Sequence, residues 1–391
     1  MKIVLVGPAY PLRGGNALFV AHLYESLASA HNVTVVSYSR LYPQILFPGV
    51  RQNDISGAPV KKHPAEALID SVSPWTWFAA ARRIVSLKPD LVVISWWNPF
   101  FGFVVATVAS RYKRATGRPV VMVAENVISH EGRRVDFFLT RLALRYADYF
   151  VVLSEVVERQ VKKLYPGRPV LRTTLPLYDC YDGDPSLTSE QAKERLGLRG
   201  KNLILFFGYI RAYKGLMNLI EAFSTIRARV ADAHLLIVGE FYDDPKPYHE
   251  AIRNASMEGN VTIVAEYVAN ERVHLYFRAA DLVALPYNEA TQSGILSIAY
   301  GFARPVIATD VGGLPELVED GVTGYVVPAN KPQELAEAAA KFFLQKKGDE
   351  FSRNILAKNQ IKDYHQMRGL FEQIGRELGA DRGSSSAMED R

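Results

Sequence analysis

The chain has 391 residues, of which 48% are hydrophobic and 11% aromatic, enough to bury two or more cores. Its one cysteine, Cys180, excludes an internal disulfide, and no Cys-x-x-Cys pair or His/Cys cluster with zinc spacing occurs. The run from Met1 to Gly7 is too short for a signal peptide and is rich in β-branched residues. We therefore expect a cytoplasmic protein that begins with a strand.

Charge is distributed unevenly. The net charge is +5, but residues 1–178 contain 22 Lys and Arg against 11 Asp and Glu, and the remainder contains 24 against 30. The first part is therefore +11 and the second −6. The options for the basic half are an anionic membrane surface, a phosphorylated acceptor or nucleic acid, and the alternative is a basic surface without a partner.

The first half alternates strand and helix patterns, which is typical of βαβ units. A helix is predicted over Asn16 to Ala28, where Phe19, Leu23 and Leu27 recur every four residues. The apolar stretch from Leu91 to Ser110 is interrupted by an Asn-Pro pair, so we read it as strand, loop and helix rather than a membrane span. The strands are predicted at Lys2–Val6, Val33–Ser37, Leu91–Ser95, Pro119–Ala124 and Tyr149–Leu153.

A second alternating series follows a stretch rich in Asp, Gly, Pro and Ser that we predict to be a linker over 179–200, with a short helix at Ser189–Leu196. Its strands are predicted at Leu203–Phe207, His234–Val238, Val261–Val264, Leu282–Leu285 and Pro305–Ala308. The chain is thus predicted to be α/β, with Rossmann-like doubly wound domains over 1–178 and 201–349. Because ligands of such sheets bind beyond the carboxyl ends of the strands, the expected active site is the cleft between the domains. The Ser-rich end, 379–391, is predicted to be disordered.

The segment from Phe207 to Gly215 places Arg211 and Lys214 in a loop that leaves a strand and enters a helix. Arg makes forked contacts to phosphate oxygens and Lys adds a compact charge, so the pair suits a diphosphate. The alternative is two solvated loop cations. The earlier turn Arg13–Asn16 contains two glycines that let backbone approach an anion at a helix N terminus, although an ordinary tight turn fits as well.

A second polar loop, from Pro286 to Gly294, carries Glu289 before Thr291, Gln292, Ser293 and Gly294. Glu289 could bond sugar hydroxyls or face a developing positive charge, and its neighbours add donors and acceptors. A helix-capping loop without a ligand is the alternative. Glu316 follows paired glycines beside another strand end, where it either contacts a ligand or charges the first turn of a helix.

In the first half, Asn126 and His130 follow the strand that ends at Ala124. A His beside Glu131 could perform acid/base chemistry, but a surface His is the simpler interpretation. No Ser-His-Asp order, Walker loop or metal signature is visible. A G-x-G-x-x-G fingerprint is also missing, which argues against an NAD-dependent dehydrogenase.

Four segments together resemble the retaining GT-B glycosyltransferases of group 1, family four type. They are the Gly14-Gly15 turn, Gly208–Gly215, Gly294–Ala308, and Gly312–Glu316 with Gly321–Gly324. The resemblance implies that Arg211 and Lys214 bind the diphosphate of a nucleotide-sugar donor, with Gly208 in their loop. It further implies that the Thr291–Gly294 loop holds the sugar, that Gly15 approaches the phosphate, and that no metal or other cofactor is needed. A final helix over 350–378 would cross back onto the first domain.

Two departures from the family pattern affect this expectation. The family usually has two glutamates with seven residues between them, but Ala290 and Ile298 stand at those positions, and Glu289 lies one residue before the first. The family also often has His where this chain has Glu125, for which His130 could compensate. The base and the sugar of the donor are therefore left open.

We expect transfer of a hexosyl unit, with retention, to a hydroxyl acceptor bound by the basic domain near Asn126 and His130. Arg211, Lys214 and Glu289 are the expected catalytic residues, and Glu316 is expected to contact the donor. The acceptor would be a cell-envelope saccharide or a lipid-linked one, reached at the inner face of an anionic membrane, with no nucleic acid partner. The alternatives are a GT-B nucleotide-sugar epimerase and a non-catalytic nucleotide-sugar-binding protein, the latter because the paired glutamates are missing.

Overall fold

A computed structural model describes residues 1–47, 49–57, 61–127, 134–178, 180–181, 183–359 and 364–386. The chain divides into two compact units. The first contains the described parts of Met1–Asp54, Lys61–Thr174 and Asp363–Arg391, and the second those of Ile55–Val60 and Leu175–Lys362. No helix among the described residues has the length and apolar character to cross a bilayer.

The first unit is built on a parallel sheet of seven strands in the order β3-β2-β1-β4-β5-β6-β7. The central strands β4 and β5 are buried at every position, as expected where helices cover both faces of a parallel sheet. In chain order the elements are β1 (Lys2–Val6), α1 (Gly15–Ala28), β2 (Asn32–Arg40), β3 (Glu66–Asp70), α2 (Pro74–Leu87), β4 (Leu91–Trp96), α3 (Gly102–Thr116), β5 (Val120–Ala124), α4 (Arg134–Leu144), β6 (Tyr149–Val152), α5 (Glu155–Leu164) and β7 (Val170–Arg172).

The second unit is built on a parallel sheet of six strands in the order β10-β9-β8-β11-β12-β13. Its elements are α6 (Ser189–Arg195), β8 (Asn202–Phe207), α7 (Leu216–Arg229), β9 (Ala233–Val238), α8 (Lys246–Asn254), β10 (Val261–Val264), α9 (Asn270–Ala279), β11 (Leu282–Leu285), α10 (Gly294–Gly301), β12 (Val306–Thr309), β13 (Gly324–Val327), α11 (Pro332–Leu344) and α12 (Gly348–Asn359). The last helix of the chain, α13 (Tyr364–Ser386), belongs to the first unit.

Each sheet has one point where the strand order reverses. In the first unit β2 and β3 lie on one side of β1, and the chain then crosses to β4 on the other side of β1. In the second unit the same reversal separates β8 from β11. Such switch points open a crevice outside the carboxyl ends of the strands, where doubly wound folds bind their ligands. In the second unit a ligand is therefore expected at the loops after β8 and β11.

The chain's last two helices differ from the single return helix expected over 350–378. Helix α12 stays with the second unit because Phe351 is fully buried there, against the rings of Tyr325 and Phe342. Helix α13 packs on α1 in the first unit, where Glu372 contacts His31 at 3.1 Å. It continues to Ser386, so the predicted disordered tail begins inside a helix, and 387–391 lie outside the described residues.

The described part of the segment 179–200, expected to be a linker, packs within the second unit instead. The ammonium of Lys193 on α6 is buried and pairs with Asp281 at 2.9 Å, and α6 packs on α9. Tyr178, just before the segment, lies against Gly301, where an added Cβ would stand 2.7 Å from the Tyr178 carbonyl oxygen. The chain accordingly passes into the second unit at Leu175, before the predicted linker rather than after it.

Candidate functional site

The two cations of the predicted diphosphate site follow β8 directly. The chain leaves the sheet at Gly208, whose φ of 101° favours glycine, and turns through a short 3-10 helix, Ala212–Lys214, into α7. Lys214 is 6% exposed, and an added Cβ on Gly208 would stand 3.2 Å from its Nζ. Within the described part of the chain, neither Arg211 nor Lys214 forms an ion pair. Both positive charges thus remain available to an anion.

Aromatic rings take the place of carboxylates around these cations. Lys214 Nζ lies 4.2 Å from the ring centroid of Tyr209, which stacks on Tyr242 with centroids 5.0 Å apart and an interplanar angle of 10°. The Arg211 guanidinium lies 5.4 Å from the Tyr242 centroid on the same ring pair. Cation–π contacts hold a cation in place without neutralising it. The arrangement therefore orients two cations and leaves their charge unbalanced.

The backbone explains how Tyr209 and Tyr242 meet. Beyond the last residues of β8 and β9, the pairing continues as a bridge from Ile210 to Phe241. The N–H of Ile210 donates to the Glu240 carbonyl at 2.8 Å, and the N–H of Tyr242 donates to the Ile210 carbonyl at 3.0 Å. These bonds fix the two loops side by side, so the ring pair is set by the sheet itself.

Burial and the neighbouring guanidinium change the acidity of Lys214. Desolvation, and secondly the charge of Arg211, lower the pKa of Lys214 from 10.5 to about 7. The Lys214 ammonium is thus costly to keep charged in the ligand-free protein. A bound anion would reverse both effects, because it supplies the missing opposite charge.

The loop after β11 is tied to the cation loop by backbone contacts. Gly215 has φ 66°, and an added Cβ would stand 1.8 Å from the Pro286 carbonyl oxygen, so only glycine fits. The N–H of Asn288 donates to the Tyr213 carbonyl at 2.7 Å, and its side-chain oxygen accepts from Asn218 Nδ2 at 2.8 Å. The loops on both sides of the switch point therefore form one rigid unit.

The predicted sugar-holding residues lie in this second loop. Thr291 and Ser293 are buried, Gln292 and Gly294 are partly buried, and Ser293 Oγ lies 3.3 Å from the Tyr287 hydroxyl. Ser293 immediately precedes α10, and its side chain does not cap that helix. The first amides of α10 therefore point towards the same sheet edge as Lys214, whose Nζ lies 5.6 Å from the Tyr287 ring.

The loop after β12 completes this edge. Gly312 has φ 57°, and an added Cβ would stand 1.9 Å from the Ala290 carbonyl oxygen, while the Gly313 N–H donates to the Thr291 carbonyl at 3.1 Å. Glu316 is exposed and lies in a turn, so the idea that it charges the first turn of a helix is wrong. The structure thus brings the loops carrying Lys214, Thr291 and Glu316 to one edge of the sheet.

Glu289 and the position of the family's second glutamate differ in their surroundings. Glu289 is exposed in the loop after β11. Ile298 is 6% exposed on α10, so the site that would hold the second carboxylate is filled by an apolar side chain. An unpaired ionised carboxylate would be costly to bury there, so a carboxyl group at this position would need a partner or would be held neutral. Ile298 is instead part of the buried apolar interior.

The candidate residues of the first unit lie at the carboxyl edge of its own sheet. Gly15 is the first residue of α1, with open space where a Cβ would be. Asn126 follows β5, and its buried Oδ1 has no hydrogen-bond partner in the described part of the chain. Beside it, burial raises the pKa of Glu125 from 4.5 to about 8, so this carboxyl is largely neutral at pH 7. His130 lies outside the described residues.

Tyr209 and Tyr242 were not predicted from the sequence. Tyr209 lies two residues past the end of β8, and Tyr242 lies four residues past the end of β9, so each follows a strand at the carboxyl edge. An aromatic after each of two adjacent strands is the signal that could have indicated the ring pair.

Comparison with protein families and curated proteins finds relatives over both halves. The family described as Glycosyl transferases group 1 matches residues 201–344, and that described as Glycosyl transferase 4-like domain matches 14–177. Alpha-D-kanosaminyltransferase of Streptomyces kanamyceticus is 30% identical over 206 residues, 51% of this chain and 52% of that protein. D-inositol 3-phosphate glycosyltransferase of Corynebacterium aurimucosum is 32% identical over 203 residues, 49% of this chain and 48% of that protein. The matches span about half the length of these relatives.

Solved structures share the fold over nearly the whole chain. The Anabaena protein HepE, crystallised in complex with UDP, superposes with a TM-score of 0.74 at 18% identity, over 97% of this chain and 100% of that one. Sucrose-phosphate synthase of Thermosynechococcus elongatus gives 0.70 at 17% identity, over 97% and 100%. Together with the two parallel sheets of this chain, these likenesses establish the GT-B fold. The two family matches cover most of the chain, and the protein belongs to the group 1 glycosyltransferases.

Proposed function

We propose that the protein transfers a hexosyl unit from a nucleoside diphosphate sugar to a hydroxyl acceptor with retention of anomeric configuration. The observation that carries this proposal is the pair of unneutralised cations, Arg211 and Lys214, at the switch point of the second sheet. Arg211 supplies a permanent positive charge at this position, and Lys214 supplies a second one that a bound diphosphate favours. The pair suits a diphosphate leaving group, whose negative charge grows as the glycosidic bond breaks. A nucleotide-sugar donor is also supported by the neighbour HepE, whose structure was determined with UDP-glucose.

The proposed transfer uses this chain's side chains only for positioning and charge. The acceptor oxygen bonds to the anomeric carbon on the face from which the diphosphate departs, and the departing phosphate takes the acceptor proton, so no protein nucleophile takes part. Arg211 and Lys214 stabilise the negative charge of the leaving diphosphate in place of a metal ion. Thr291, Gln292 and Ser293 hold the sugar, and Glu289 faces the charge that develops on it. Glu316 and the backbone at Gly208, Gly294 and Gly15 complete the donor contacts.

The acceptor is proposed to be a cell-envelope saccharide or a lipid-linked one, bound near Asn126 by the basic first unit. The unpartnered Asn126 Oδ1 and the neutral carboxyl of Glu125 can bond hydroxyl groups at this edge. We further propose that the enzyme works at the inner face of an anionic membrane, because residues 1–178 carry a net charge of +11.

A donor screen tests the proposal. Purified protein is heated with UDP-, GDP-, ADP- and dTDP-sugars, and each donor that raises the melting temperature is followed for nucleotide release with and without saccharide acceptors. We expect one base to stabilise wild type and not Lys214→Ala, with release that depends on the acceptor. Conversion of the donor without any acceptor would favour an epimerase, and stabilisation without release under any condition would favour a non-catalytic binding protein.

A further inference from the structure

Large apolar side chains are exposed along one edge of the first unit. Helices α2, α3 and α4 follow β3, β4 and β5, so their N termini lie at the carboxyl edge of the sheet. Trp75 on α2 is 81% exposed, Phe103 on α3 is 52% exposed and Phe138 on α4 is 59% exposed. Val135 and Phe137, also on α4, are exposed beside Phe138. We call these five side chains the apolar rim.

Packing brings members of the apolar rim on adjacent helices together. Helix α3 packs between α2 and α4. At its start, an added Cβ on Gly102 would stand 2.8 Å from Leu139 Cβ, so Phe103 lies close to the turn that carries Phe137 and Phe138. The exposed side chains of Phe103, Phe137 and Phe138 thus lie close together, with Trp75 on the adjacent helix, and exposed apolar patches of this kind mark interaction sites.

Arginines without carboxylate partners flank the apolar rim. Arg134, Arg141 and Arg145 are exposed on or just after α4, and none forms an ion pair within the described ranges. By contrast, Arg159 and Lys162 on the neighbouring α5 pair with glutamates of their own helix. The α4 arginines instead lie near aromatic rings, Arg141 over Phe137 at 5.8 Å and Arg145 over Tyr146 at 4.7 Å.

A groove of about 370 Å³ runs along this part of α4, lined by Phe137, Phe138, Arg141, Leu142, Arg145 and Tyr165. Its lining combines aromatic and aliphatic side chains with two arginines. Aromatic side chains with unpaired cations beside them are the composition of surfaces that lie in the headgroup region of a bilayer. Each cation near an anionic lipid surface also adds attraction.

We propose that the apolar rim and the α4 arginines form a surface that inserts into an anionic lipid bilayer. Trp75, Phe103 and Phe138 enter the boundary between headgroups and acyl chains, and Arg134, Arg141 and Arg145 bind lipid phosphates. This inference rests on the proposed function, since the surface would bring the acceptor-binding unit to a membrane-bound acceptor. The inference assigns the membrane contact to the face formed by the apolar rim and the α4 arginines. The net charge of the first half alone does not identify a face.

Vesicle flotation of the full chain tests the surface. Vesicles of equal parts phosphatidylglycerol and phosphatidylcholine are compared with phosphatidylcholine alone, for wild type and the triple variant Trp75→Ser, Phe103→Ser, Phe138→Ser. The matched control is Leu344→Ser, Leu356→Ser, which removes two exposed apolar side chains of the second unit. We expect the triple variant to bind anionic vesicles about tenfold more weakly or worse, with the control unchanged.

Charge is tested separately. Arg141→Gln and Arg145→Gln should each weaken binding to anionic vesicles by about fivefold and leave any residual binding to neutral vesicles unchanged. Wild type that does not float with anionic vesicles, or floats equally with neutral ones, would overturn the inference. So would a triple variant that binds like wild type, or a wild-type dimer in solution that the triple variant loses.

The test separates this inference from the proposed function. Nucleotide release with a water-soluble acceptor is measured for the same variants and is expected to match wild type, because the substituted side chains are exposed and far in sequence from the cation loops. Absence of transfer in wild type with vesicle binding intact would refute the transferase proposal alone. Transfer without vesicle binding would refute the membrane surface alone.

Discussion

Donor binding should be linked to the protonation of Lys214. Burial and Arg211 hold the pKa of Lys214 at about 7 in the free protein, whereas the bound diphosphate favours the ammonium form. A lysine whose pKa is lowered loses its proton as pH rises through 7, so the affinity for the donor should fall as pH rises. From pH 7 to pH 9 the charged fraction falls from about one half to about one in a hundred, which weakens binding about fiftyfold, or about 2.3 kcal/mol.

Calorimetric titration of the donor selected by the screen, at intervals from pH 6 to pH 9, measures this linkage. A nucleotide sugar carries a diphosphate diester, which has no proton to exchange in that range. Lys214→Arg should bind with little dependence on pH because guanidinium stays charged, and Lys214→Met should bind weakly and equally at every pH. Equal wild-type affinity at pH 7 and pH 9, or the same slope in Lys214→Met, would refute the assignment.

Three further predictions follow from local geometry. Tyr209→Ala should weaken donor binding by about tenfold by releasing Lys214, whereas Tyr209→Phe keeps the ring and should bind like wild type in the same titration. Glu125 keeps its proton in the native state from pH 4.5 to about 8, whereas it loses that proton in the unfolded state. As pH rises across that window, the unfolding free energy of wild type relative to Glu125→Gln should therefore fall by about 1.4 kcal/mol per pH unit in denaturant titrations. Parallel pH profiles for the two proteins would contradict this. Gly215→Ala should destabilise the protein by about 2 kcal/mol or more, since the added Cβ meets the Pro286 carbonyl, and an unchanged melting temperature would disprove the close approach.

The strands that sequence patterning predicts lie mainly in the middle of the sheets. β1, β4, β8 and β11 are almost entirely apolar, with at most one polar residue each, because helices cover both of their faces. The strands that patterning missed, β3, β7 and β13, lie at sheet edges, where strands are short or partly exposed. The GT-B fold was nevertheless predictable, because the order of glycine-rich turns after successive strands identifies it.

The site could be predicted only in part. Arg211 and Lys214 stand out because two cations follow a buried strand, and the loop from Thr291 to Gly294 stands out because small polar residues follow another. The aromatic pair of Tyr209 and Tyr242 could not be derived, because the strand pairing that joins their loops is a contact between distant parts of the chain. The same holds for the low pKa of Lys214, which depends on packing that the sequence does not display.

The most direct test of the account is acceptor-dependent glycosyl transfer by wild type compared with Arg211→Ala and Lys214→Ala. Product is isolated after incubation with donor and acceptor, and NMR coupling at the anomeric carbon gives its configuration. We predict transfer with retention, reduced on the order of a hundredfold or more in each folded variant, since each loses one preorganised charge. Wild-type rates in either variant, or product of inverted configuration, would contradict the account.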